Sequence, residues 1–224
     1  MSESLTLSYL PLFPLGTVLY PGGLLPLRIF EVRYLDMIGK CHKTGAPFGV
    51  VSLTEGLEVR KLSDVSLKNG QAGGDGFAQE AFSTVGTLAT IDAFSVPQSG
   101  LMVIQCRGVH RFTITRREKL KHGLWVADVT RLNEDLPVKI PFDLQKCADA
   151  LGKLIKGLRQ GDDPAGKIPM LSPYRLDDCG WVANRWCELL PMPVMLKQQL
   201  MELDNPLLRL ELVCDILERT GISS

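Results

Sequence analysis

The residues from Gly161 to Ile168 come closer to a ligand-binding motif than any other stretch of this chain. Their sequence, GDDPAGKI, differs at one position from the Walker A loop that cradles nucleotide phosphates. That loop needs a Ser or Thr hydroxyl for Mg²⁺ where this chain has Ile168, and it should open a helix after a buried strand. Here the segment follows a predicted helix and runs into Pro169. We therefore interpret it as a loop that joins helices.

Three histidines, His42, His110 and His122, are the side chains best suited to proton transfer near neutral pH. They form no H-E-x-x-H pattern and no cluster with cysteine at metal-ligand spacing, so no metal site is expected. No G-x-S-x-G nucleophile motif occurs either. Because a Ser, His and Asp triad need not be adjacent in sequence, a small hydrolase stays open as an alternative.

The six cysteines form no C-x-x-C pair. Cys41, Cys147 and Cys214 fall on apolar stripes of predicted elements, where a free thiol packs as a small hydrophobic side chain. Reduced core cysteines are typical of cytosolic proteins. The amino terminus has no secretory signal pattern, and no window reaches the roughly 18 apolar residues of a membrane span. These features predict a cytoplasmic protein with no cofactor and no membrane association.

Basic residues concentrate along one predicted hairpin, which is the best argument for binding of RNA. They are Arg107, Arg111, Arg116, Arg117, Lys119, Lys121 and His122. Strand alternation divides them between two faces, and aromatic residues for base stacking are sparse nearby. The whole chain has 25 basic and 25 acidic residues, so its formal net charge is zero. This balance disfavours a polyanionic partner, and RNA binding is kept as an alternative.

Residues 1–136 are predicted to form a β module with one helix. Period-two patterns and turn residues predict strands at Tyr9–Phe13, Leu25–Phe30, Phe48–Leu53, Val85–Val96, Leu101–Arg107, Val109–Arg116 and Leu124–Leu132. The turn residues at 97–100 predict a hairpin. The helix should begin near Phe30 and bury a stripe formed by Tyr34, Leu35, Ile38, Cys41 and His42. The glycine-rich residues 68–76 are interpreted as a loop within this module.

Residues 137–224 are predicted to form a small helical bundle, with a boundary at the acidic residues and prolines of 133–141. Apolar periodicity predicts one helix that includes Cys147 to Leu158, and three more at Asp178–Leu190, Val194–Leu203 and Pro206–Arg219. Asn205 should cap the last helix, because Asn is favoured at that position and Pro206 fits the first helical turn.

Four blocks of sequence, taken in order, resemble the amino-terminal substrate-binding domain family of ATP-dependent Lon proteases. They are LFPLG (12–16) continuing through FEVRY (30–34), VGTLATI (85–91), CRGVHRF (106–112), and LLP (189–191) followed by KQQLME (197–202) and Arg209-Leu210. The family often has proline where this chain has Val32. The resemblance implies an α+β fold, in which a PUA-like antiparallel β-barrel module precedes a small helical bundle. It also implies a stand-alone member without ATPase or protease domains, whose role is non-catalytic recognition of polypeptide.

The resemblance and the apolar opening of the chain together give the candidate binding residues. An unfolded or extended polypeptide, or a partner protein, is expected to contact Leu15, Tyr20, Leu24, Leu25, Arg33 and Arg111. The structural alternative is that Glu31, Arg33 and Arg111 supply a half-buried ion pair that fixes the helix start to the sheet. A homodimer stays open.

Overall fold

The strands and helices follow each other along the chain much as the sequence predicts. The computed structural model describes residues 5–55, 80–160 and 170–221. The strands are β1 (Thr6–Leu15), β2 (Leu24–Ile29), β3 (Phe48–Glu55), β4 (Ala81–Phe82), β5 (Val85–Gln98), β6 (Leu101–Lys119) and β7 (Trp125–Arg131). The helices are α1 (Val32–Thr44), α2 (Gln145–Gln160), α3 (Cys179–Leu189), α4 (Val194–Glu202) and α5 (Pro206–Arg219).

Five strands close into a ring in the order β1, β7, β6, β5, β3. Neighbours are antiparallel except β1 and β3, which run parallel with Leu12 opposite Gly49 and Leu15 opposite Ser52. A parallel pair requires a crossover connection, and β2 with α1 provides it. Outside the ring, β2 pairs with β6 and the short β4 pairs with β3. The predicted α+β fold is confirmed, with one parallel pairing that the sequence pattern does not reveal.

Two apolar clusters lie on opposite faces of the ring strands. One receives side chains from all five ring strands and therefore fills the ring: Leu10, Leu12, Val51, Leu88, Phe112, Ala127 and Val129. The other joins the opposite face to α1 through Phe13, Phe48 and Ile104. Because successive strand residues point to opposite faces, Leu12 and Phe13 belong to different clusters.

The buried stripe of α1 differs in part from the predicted one. Tyr34, Ile38 and Cys41 are buried as expected, but Leu35 is half-buried and His42 is exposed. The buried stripe also includes Arg33 and Met37. The face that packs on the sheet is therefore shifted by one residue towards the amino terminus from the predicted face. His42 instead stacks on the Phe94 ring, with centroids 4.0 Å apart.

One long strand, β6, replaces the two strands that the sequence predicts at 101–107 and 109–116. It continues through the buried Gly108, where the segment from Tyr20 to Gly23 crosses it. The Gly22 N–H donates to the Gly108 carbonyl oxygen at 2.8 Å, and the Gly108 N–H donates to the Gly23 carbonyl oxygen at 3.0 Å. β6 therefore continues through this glycine, where the segment from Tyr20 to Gly23 is hydrogen-bonded to both of its backbone groups.

The helical bundle buries the apolar stripes of α2 to α5 in one cluster. Asn205 caps α5 as predicted, accepting hydrogen bonds from the Leu207 and Leu208 N–H groups at 3.0 and 3.2 Å. The prediction of reduced cysteines is wrong for one pair, because Cys147 of α2 and Cys214 of α5 form a disulfide. Both were placed on apolar stripes, and these two stripes face each other. The four other cysteines are free and buried.

The bundle packs against the ring of strands through buried polar groups. The Tyr20 hydroxyl donates to the Lys197 carbonyl oxygen at 2.6 Å, and Tyr20 is fully buried. The Ser52 hydroxyl donates to Gln198 Oε1 at 2.7 Å. Arg185, also fully buried, donates to the Pro21 carbonyl oxygen at 2.9 Å. The division into modules at 136 and 137 stays a prediction. The glycine-rich residues 68–76 and the segment 161–168 lie outside the described residues.

Candidate functional site

The six predicted binding residues divide into a buried group and a half-buried group. Leu15, Tyr20, Arg33 and Arg111 are at most 5% exposed, whereas Leu24 and Leu25 of β2 are half-buried. The structure does not gather them in one place. Their role as contacts for a ligand stays a prediction.

Arg111 holds the ring against the bundle. Its guanidinium donates to the carbonyl oxygen of Met201 at 3.0 Å and lies 3.5 Å from a carboxylate oxygen of Asp135. It also pairs with Asp204 at 3.0 Å, although that side chain is 87% exposed. Of the three residues considered for a half-buried ion pair, Glu31 pairs with Arg33, whereas Arg111 pairs with Asp135 and Asp204. This arrangement favours the structural interpretation of Arg111.

Arg33 lies in a separate ionic network at the start of α1. Its guanidinium is 3.0 Å from carboxylate oxygens of both Glu31 and Glu80, and it donates to the Gly123 carbonyl oxygen at 2.8 Å. The Trp125 indole N–H also donates to Glu80, at 2.8 Å. Burial alone would raise the pKa of the Glu80 carboxyl, but the hydrogen bonds from Arg33 and Trp125 outweigh it and hold that pKa below its ordinary value.

The depressed pKa of Glu80 gives a pH dependence with a definite sign. A carboxyl whose pKa is lowered in the folded state adds stability above its unfolded pKa, and this stability is lost as pH falls through the folded pKa. Glu80→Gln should therefore be less stable than wild type at pH 7, and the difference should shrink as pH falls below about 4. Urea unfolding at several pH values measures it, with Glu134→Gln at a mostly exposed carboxylate as control. A difference that does not change with pH would contradict this assignment.

Two open grooves flank the start of α1. The first, called the β2 groove, has a volume of about 240 Å³ and lies among Phe13, Leu15, residues 26–31 and Tyr34. Its rim carries Phe30, which is 53% exposed although it is a large apolar side chain. The groove therefore offers apolar surface next to the outer edge of an exposed strand.

The second groove, called the α1 groove, has a volume of about 430 Å³ and lies between α1 and the turn that joins β6 to β7. It is lined by Pro11, Val32, Arg33, Asp36, Met37, Lys40, Cys41, His122 and Leu124. Val32 is 73% exposed at its edge. Its lining combines apolar groups such as Val32, Met37 and Leu124 with charges of both signs, as the lining of the β2 groove also does through Arg28 and Glu31.

The described titratable residues bear on two kinds of site, metal centres and cysteine nucleophiles. Residues 5–55, 80–160 and 170–221 contain no group of three or more His, Cys, Asp or Glu placed to hold a metal ion. Burial raises the pKa of Cys106 to about 12 and those of Cys179 and Cys187 to about 11, so these thiols are poor nucleophiles at neutral pH. Burial lowers the pKa of His110, which lies 3.0 Å from Glu134.

The helices described are too short or too polar to cross a membrane.

The basic hairpin is largely neutralised by carboxylates. Arg107 pairs with Asp92 at 2.8 Å, and Arg116 lies 3.5 Å from Asp128. Lys119 lies 3.8 Å from Glu80. Such pairing leaves less free positive charge for a phosphate backbone than the sequence alone suggests.

Comparison with known proteins decides the family. The model of the ATP-dependent protease La (LON) substrate-binding domain matches residues 9–219. The chain belongs to this family. A similar solved structure is that of a Lon N-terminal domain protein from Xanthomonas campestris, with 29% identity, a TM-score of 0.67, and coverage of 93% of this chain and 98% of that one.

A second similar structure is the N-terminal domain of a Mycobacterium avium complex Lon protease. It is 18% identical with a TM-score of 0.55, and the match covers 92% of this chain and 96% of that chain. This likeness supports the fold alone. The comparison with curated proteins gave no match.

The first block that resembles Lon substrate-binding domains forms β1, β2 and the start of α1, and so it builds the β2 groove. Sequence reasoning missed Phe30 as part of its lining. A signal for Phe30 was present, since it follows the buried Ile29 at the end of an alternating strand. No comparable signal links Glu80 to Arg33, because this pair is 47 residues apart in sequence.

Proposed function

We propose that this Lon substrate-binding domain binds unfolded or extended polypeptide and has no ATPase or peptidase activity. The family match over residues 9–219 carries the proposal, because that family is defined by substrate binding. The apolar side chains at the β2 groove support it, since exposed apolar groups such as Phe30 beside a strand suit the binding of a chain that is not folded. The occupant is a polypeptide or a partner protein in the cytoplasm.

The proposal predicts binding that salt hardly changes. The fluorescence anisotropy of labelled casein, an unfolded polypeptide, should rise when the full chain is added. The Kd should change little between about 50 and 200 mM salt, because apolar contacts dominate. Binding should be weak, since an unfolded chain loses conformational entropy when it is ordered. ATP and casein should both stay intact over hours of incubation.

A labelled single-stranded RNA tests the main alternative in the same assay. A protein that contacts about 6–10 phosphates of a single strand loses roughly 10²- to 10⁴-fold in affinity over that salt range, because counterions are released on binding. Tight, salt-sensitive binding of RNA without binding of casein would replace the proposal with RNA recognition. Turnover of casein that a single substitution abolishes would replace it with a hydrolase.

A further inference from the structure

One edge of β2 has no strand partner among the residues that the structure describes. Within the described residues β6 is its only strand partner, from Leu24 opposite Arg107 to Ile29 opposite Met102. An unpaired edge presents a row of backbone N–H and C=O groups that can pair with another extended chain. The β2 groove runs beside this edge, since β2 residues form one of its walls.

Pro26 indicates which residues face the free edge. In an antiparallel pair, alternate residues direct both backbone groups towards the partner strand or away from it. Pro26 has no N–H, and proline within a strand is tolerated where its nitrogen faces away from the partner. Leu24 and Arg28 lie two positions to either side and so share its orientation. The free edge thus offers the N–H groups of Leu24 and Arg28 and the carbonyl oxygens of all three residues.

The side chains beside this edge favour one kind of occupant. Phe13, Leu15 and Leu27 give the groove an apolar lining, and Phe30 stands exposed at its rim. Arg28 is exposed and lies in the same lining. In the part of the chain that the structure describes, no carboxylate is within ion-pair distance of Arg28, whereas Glu31 is already paired with Arg33. The positive charge of Arg28 is therefore available to pair with an acidic group on the occupant.

We propose that an extended segment of the bound polypeptide adds to the outer edge of β2 as a further strand. It places an apolar side chain in the β2 groove and a carboxylate beside Arg28. This inference rests on the proposed function, because it names where and how that same polypeptide is held. The backbone pairing accounts for tolerance of many sequences, and the groove and Arg28 set a preference for apolar segments that carry an acidic residue.

Reversing the charge of the peptide and that of residue 28 tests whether the peptide binds beside Arg28. Two short labelled peptides are compared, identical except that an acidic residue beside an apolar pair is replaced by lysine. The wild-type chain should bind the acidic peptide about two- to fivefold more tightly, the range that an exposed ion pair supplies. Arg28→Glu should reverse the preference, and Lys153→Glu on the exposed face of α2 should leave it unchanged. Equal reversal by both variants would mean a general charge effect and would overturn the site.

Backbone methylation of the peptide tests the added strand. N-methyl groups on one set of alternate amides should weaken binding by roughly two- to tenfold for each hydrogen bond lost, while methylation of the other set should have little effect. Equal loss or no loss with the two sets would overturn strand addition. If the wild-type chain binds neither casein nor either peptide, the proposed function itself fails. If casein binds but neither charge nor methylation matters, only the β2 site fails.

Discussion

Replacement of Arg111 by alanine should lower the free energy of unfolding by about 3–5 kcal/mol, because the change removes one member of a buried ionic network. The Arg111 side chain is 4% exposed, and its loss would leave the Met201 carbonyl oxygen without this donor. Arg107→Ala on the same strand is the matched control. That side chain is 47% exposed, so the loss of its pair with Asp92 should change stability by less than about 1 kcal/mol. Urea unfolding followed by circular dichroism measures both.

Two double substitutions separate the ionic networks. Arg111→Ala and Glu31→Ala should have additive effects, since the two side chains share no partner. Arg111→Ala and Asp135→Asn should be coupled by roughly 0.5–3 kcal/mol, because Asp135 contacts both Arg111 and Arg209. If Arg111→Ala unfolds like wild type but no longer binds casein, Arg111 is a ligand contact and its structural assignment is wrong.

The local features of this fold are readable from the sequence. Each helix depends on apolar residues three and four positions apart, and the cap of α5 depends on Asn205 and Pro206, which are adjacent. The hairpin between β5 and β6 depends on the turn residues at 97–100, where Gly100 adopts a positive φ of 76°. All these signals lie within a few residues of the structure that they determine.

The features that the sequence does not reveal depend on distant partners. Closure of the ring through β1 and β3 requires a parallel pairing across α1, and no period in either strand distinguishes it from an antiparallel pairing. Arg33 pairs with the distant Glu80 as well as with the nearby Glu31, and Arg111 pairs with Asp135 and Asp204. The pairing of Cys147 with Cys214 spans 67 residues. The apolar periodicity of a helix predicts that its cysteines face the core, but it does not predict which two cysteines are in contact.

Of the six predicted binding residues, Leu15 lines the β2 groove, and the role of all six as ligand contacts stays a prediction. The apolar run after Leu15 does build the β2 groove, yet Tyr20 packs into the bundle instead. Apolar composition alone does not separate the residues that form the core from those left exposed, such as Phe30. The Pro26 position carries more information, because proline has no N–H and so indicates which residues of β2 direct their backbone groups away from β6.

Gly108→Ala should destabilise the chain by about 3 kcal/mol, since added volume at a packed position forces backbone shifts. A Cβ atom on Gly108 would lie 2.2 Å from the Tyr20 carbonyl oxygen, which is backbone and cannot move alone. Any shift of Tyr20 would also disturb the hydrogen bond from its hydroxyl to Lys197 in the bundle. The substitution should therefore loosen the contact between the ring and the bundle.

Gly157→Ala is the same chemical change, but it should raise the free energy of unfolding where Gly108→Ala lowers it. Gly157 lies on the exposed face of α2, and a Cβ there would meet no atom within 4 Å. Alanine restricts the unfolded chain and favours helix, so this variant should gain about 0.5–1 kcal/mol. Thermal and urea unfolding of both variants beside wild type measure the contrast. If Gly108→Ala proves as stable as wild type, the Tyr20 segment does not press on β6 and the described crossing at Gly108 is wrong. If both variants lose stability equally, the effect comes from loss of glycine itself and not from the close approach of two backbones.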